Sequence, residues 1–137
     1  MHQAYKITIN YFLLMLLLII ITGIWIVLLQ TSLNLETITN YYVNKSLLGV
    51  LEVLTPHLLA MGTVVFILTH FLSFKNKNTS LETKISTLLF LVMLLSNLSL
   101  LVITEITPWM IWVKIISLLL FLLFSLFLMW RVFIRKY

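Results

Sequence analysis

Leu47–Phe74, LLGVLEVLTPHLLAMGTVVFILTHFLSF, decides the fold. It is long enough to cross a bilayer as a helix, which takes about 20 apolar residues. It also carries Glu52, His57 and His70. Ionisable groups in the hydrocarbon region are costly, and they normally face protein and have a function to serve.

Three more apolar runs accompany this one, giving spans at about 11–29, 47–73, 85–104 and 108–130. The whole chain of 137 residues is 62% hydrophobic and 9% charged, against roughly 25% charged in a soluble domain. The composition therefore predicts an all-α integral membrane protein, a four-transmembrane-helix bundle running up-down-up-down as a single domain over 1–137. Its first apolar run is too long for a signal-peptide core and has no small-residue cleavage site, so it reads as a retained span. Without cysteine, disulfides and cysteine chemistry are excluded. A net charge of +5 without a basic soluble domain argues against nucleic acid as a partner. No Ser/His/Asp set, zinc motif or phosphate loop is recognisable, which points away from an enzyme.

The loops carry their own signals. In TSLNLETITNYYVNKS, Leu35, Ile38 and Tyr42 recur at helical spacing, which predicts an interfacial helix over 33–43 capped by Ser32 or Asn34. Thr79-Ser80-Leu81-Glu82 matches a capping box starting a helix at Ser80. Thr107-Pro108 reads as a cap and first-turn pair that starts span four, making spans three and four a tight antiparallel hairpin. Lys6, Lys75, Lys77, Lys84, Arg131, Arg135 and Lys136 gather on one side, with Lys45 alone on the other. The positive-inside rule then places both termini in the cytoplasm, in what reads as a bacterial cytoplasmic membrane.

Counting residues along the spans puts Glu52 and Lys114 at similar depth, which predicts an intramembrane ion pair between spans two and four, with Glu105 competing for the lysine. Thr22, Thr55, His57, Ser96 and Asn97 would converge with them as an interior polar cluster in a simple bundle. The Thr22-Gly23 notch would face a neighbouring helix. Glu52, Thr55, Thr63 and His70 form a polar stripe along one face of span two, suited to a helix contact or a proton route.

A transmembrane helix with two histidines resembles the haem-bearing helices of b-type cytochrome membrane subunits. The resemblance rests on His57 and His70 and covers Leu47–Phe74 alone. It implies haem b ligated from this helix, with His57 and His70 as candidate ligands. Thirteen residues separate the two histidines, which turns them about 140° apart on a helix. Ligation would therefore use His57 with Met93, or two copies of His57 in a homodimer, unless a π-bulge or the Pro56 kink restores a common face.

Three functions fit these features. One is a small accessory or assembly subunit of a larger inner-membrane, energy-transducing complex, with the lipid bilayer and a larger partner or a homo-oligomer around it. Another is a b-type haem electron carrier using His57. The third is a proton or ion pathway through Glu52.

Overall fold

The computed structural model of the chain describes residues 3–31, 34–73, 80–103, 107 and 109–135. Among them the elements are α1 (Gln3–Thr31), α2 (Leu35–Val43), α3 (Leu47–Ser73), α4 (Ser80–Leu98), a 3-10 turn (Ser99–Leu101) and α5 (Met110–Arg135). Long Leu/Ile/Phe runs form helices here because a helix satisfies every backbone N–H and C=O within its own segment, as hydrocarbon demands. Four helices are long and apolar enough to cross a membrane. Even Pro56, which lacks an N–H, is carried inside α3 without ending it.

Successive spans run antiparallel. Phe12 near the start of α1 meets Phe71 near the end of α3, with ring centroids 5.5 Å apart. Glu82 in the first turn of α4 bonds Arg131 near the end of α5. Val50 and Leu54 at the head of α3 pack with Leu100 and Ile103 beyond the end of α4.

Two apolar clusters fill the bundle. The larger joins Leu68 and Leu72 of α3, Leu89 and Met93 of α4, and Phe121 and Leu128 of α5, with Ile9, Leu13 and Leu16 of α1 against them. The smaller lies at the opposite end, where Ile38, Tyr42 and Val43 of α2 pack over Val50, Leu54 and Ile111. Asn34 caps α2, its side chain accepting from the Glu36 N–H at 3.0 Å. α5 packs most closely on α4.

Two local expectations change. α5 begins at Met110, two residues beyond Pro108, and the Thr107 hydroxyl donates back to the Val102 carbonyl. The Thr22-Gly23 notch meets no neighbour among the described residues: nothing lies within 4 Å of where a Gly23 Cβ would stand, and the Thr22 hydroxyl donates to Leu18 O at 2.9 Å. All of residues 21–30 are exposed.

Candidate functional site

Polar side chains inside the bundle are concentrated on α4 and α5. Ser96, Asn97, Ser99, Lys114, Ser117 and Ser125 are all buried, as is Glu82. Lys114 is 7% exposed, and its Nζ donates to Ser96 O at 2.7 Å and to Ser96 Oγ at 3.2 Å. Ser99 Oγ donates to the same carbonyl at 2.9 Å. Ser96 lies in the last turn of α4, where carbonyls lose their intrahelical partners and the helix dipole is negative. The ammonium is thus held by the C-terminal pole of the neighbouring helix.

Asn97 Nδ2 donates to Met93 O at 2.8 Å and to Met61 Sδ at 3.3 Å, tying α4 to α3. Its Oδ1, like Ser125 Oγ, is buried without a partner among the described residues. At the far end of the same hairpin, Arg131 Nε donates to Glu82 Oε1 at 2.7 Å, with the Glu82 side chain 1% and that of Arg131 32% exposed. Fourteen residues run back from Ser96 to Glu82 and seventeen on from Lys114 to Arg131. At about 1.5 Å per residue both contacts belong to one antiparallel register.

The expected Glu52–Lys114 pair does not form. Glu52 is exposed on the outside of α3, whereas Lys114 points into the bundle. Their levels differ too: Lys114 reaches Ser96, whose neighbour Asn97 touches Met61, nine residues along α3 from Glu52, or about 13 Å. Glu105, the expected competitor, lies outside the described residues.

The expected interior cluster divides the same way. Ser96 and Asn97 are interior, whereas Thr22, Thr55 and His57 are exposed. Met93 is buried beside Asn97 and Gly62, so His57 and Met93 face opposite ways and make no axial pair within one chain. His70 is exposed and stacked on Phe66, with centroids 5.9 Å apart. Among the described residues no three His or carboxylate groups gather as a metal site.

A second polar surface therefore lies outside the bundle, on α3. Glu52, Pro56, His57, Ala60 and Thr63 are all exposed. His57 Nδ1 lies 2.8 Å from Val53 O. A carbonyl only accepts, so this bond assigns a hydrogen to Nδ1, and in the neutral ring Nε2 is then the acceptor. Thr63 Oγ1 donates to Leu59 O at 2.8 Å, which uses its hydroxyl hydrogen.

Sequence reasoning missed the Glu82–Arg131 pair, taking Glu82 as part of a cap and Arg131 as a topology charge. The hairpin could have revealed it, since both residues stand at the same end of spans three and four.

Four long apolar helices among the described residues, running antiparallel in succession, define an integral membrane protein of the helical-bundle class. Residues 32–136 match the Aq_1264_TM family, described as a transmembrane helical domain, and the chain belongs to that family. The match takes in α2 to α5 and leaves α1 outside. No curated protein and no solved structure matches the chain.

Proposed function

We propose that this protein is a small accessory or assembly subunit of a larger complex in a bacterial cytoplasmic membrane, and that it engages its partner through α3. One observation carries the reading: the ionisable face of α3 turns away from the chain's own bundle. α3 is 27 residues long, about 40 Å against a hydrocarbon core of about 30 Å. Centred in the bilayer, it holds Glu52 just inside the hydrocarbon boundary and His57 about 10 Å inside. Polar groups at such depth are retained when protein covers them.

A pathway through Glu52 inside this bundle loses support, because the carboxylate is on the outer surface. A b-type haem keeps one foothold, the outward acceptor of His57, and it would have to be shared with a second chain. Gentle detergent extraction tests these readings together. The accessory reading expects the 16.0 kDa chain to migrate on native gels within a larger assembly and to show no Soret band. A lone chain on the gel would overturn it, and a Soret band would favour the haem reading.

A further inference from the structure

We infer that the α3 face flanked by Glu52 and His57 is a seat for a transmembrane helix of a different protein, one that brings hydrogen-bond donors, including a lysine or arginine opposite Glu52. This rests on the accessory reading and names the partner's chemistry.

The shape of the face suits a helix. Glu52, Pro56 and Thr63 lie within roughly 40° of one another around α3, with Ala60 about 80° and His57 about 140° round from Glu52, so that Glu52 and His57 stand at opposite edges of the face. Pro56 and Ala60 are small and exposed, so they leave a shallow lane between the two ionisable residues where another backbone can approach closely.

Hydrogen-bond polarity selects the occupant. An ionised Glu52 offers acceptors only, and it makes no hydrogen bond or ion pair with the described residues. Nδ1 of His57 is committed to Val53 O, so in the neutral ring Nε2 presents a lone pair. The Thr63 hydroxyl has spent its hydrogen on Leu59 O and likewise presents lone pairs. A second copy of this chain, meeting the first through the same face, would set acceptor against acceptor and carboxylate against carboxylate. A helix with a cation near its own membrane boundary and donors about one and a half and three turns deeper complements all three groups. Glu52 stands just inside the boundary, where a lysine or arginine can reach it with its charged end close to the headgroups.

The test is photocrosslinking of the full-length protein in its native membrane, with a photoreactive phenylalanine analogue at Ala60, at Tyr41 on α2, or at Leu95 on the exposed side of α4. The Ala60 probe should capture a helix of another membrane protein bearing a lysine or arginine at Glu52's level. Glu52→Gln should lower the adduct yield severalfold. Glu52→Lys should lower it about tenfold, equivalent to about 1.4 kcal/mol, and changing the partner's cation to glutamate should restore it. Thermal unfolding by circular dichroism checks that both variants remain folded, as expected for an exposed position. An adduct with a second copy, an adduct indifferent to Glu52→Lys, or none at Ala60 overturns the inference. Protein adducts from Tyr41 or Leu95 but not Ala60 would remove this seat and leave the accessory role standing. A chain that crosslinks nowhere and runs alone on native gels would remove both.

Discussion

Lys114 ends at the carbonyl of Ser96, and the two ways of neutralising a buried ammonium make opposite predictions for its removal. Were Glu52 its counter-charge, Lys114→Met would strand a carboxylate and cost about 3 kcal/mol or more. Held instead by the pole of α4, it loses a charge-assisted hydrogen bond while relieving the desolvation of a cation, two effects of similar size and opposite sign. The expected change for Lys114→Met is within about 1 kcal/mol. Coupling to Glu52→Gln in a double-mutant cycle should stay below about 0.5 kcal/mol. Unfolding titrations in mixed detergent micelles measure both quantities. Glu82 and Arg131 should behave differently, because this is an ion pair with one member fully buried. Arg131→Met removes this partner from the buried carboxylate and should destabilise by about 3 kcal/mol, while adding Glu82→Gln should return most of the loss. Equal destabilisation in the single and double variants would refute a pairing role for Arg131.

At the scale of helices, membrane chemistry separates what was readable from what was not. The four spans were legible because hydrocarbon demands long apolar helices, and each such run announces itself. The direction each helix faces was not legible. In water, an alternation of polar and apolar residues marks the buried side, but in lipid both sides are apolar and the marker disappears. Counting depth could therefore suggest that Glu52 and Lys114 meet, but it could not show that one faces outward and the other inward. Starting α5 at Pro108 rather than Met110 distorted the depth as well. Ser96 and Asn97 are buried, whereas Thr22 and Thr55 are exposed, and a threonine can face outward because it spends its hydrogen bond locally, as Thr22 does on Leu18 O. Outside the spans, α2 retains the aqueous signal, and its docking is open to titration. Burial, and then the neighbouring Tyr41, hold the half-buried Tyr42 phenol above its ordinary value of 10.0. A group whose folded pKa is raised contributes stability that is complete below its unfolded value and is lost as pH climbs through the folded one. Protease resistance around α2 should therefore fall as pH rises above about 10, and Tyr42→Phe should shift that fall upward or abolish it. An unchanged profile in Tyr42→Phe would remove Tyr42 as its cause.

For the whole molecule, the family match begins at residue 32, which coincides with a difference in packing. α1 touches the larger apolar cluster through Ile9, Phe12, Leu13 and Leu16, while residues 21–30 are all exposed. α2 to α5 carry both polar contacts of the hairpin, Lys114–Ser96 and Glu82–Arg131, so they should insert and pack without α1, at reduced thermal stability. Orientation should survive the same truncation. Of the seven cations assigned to the cytoplasmic side, Lys6 alone is lost, and the rest still flank α3 to α5 on that side. The absence of cysteine makes this directly measurable with single introduced thiols. Asn44→Cys, exposed at the end of α2, should react with a membrane-impermeant maleimide in intact cells. Ser80→Cys, exposed at the start of α4, should react only after permeabilisation. The α1-deleted chain should give the same pattern. Labelling of Ser80→Cys in intact cells would reverse the topology, and a reversal confined to the truncated chain would make α1, rather than the distributed positive charge, the element that sets orientation.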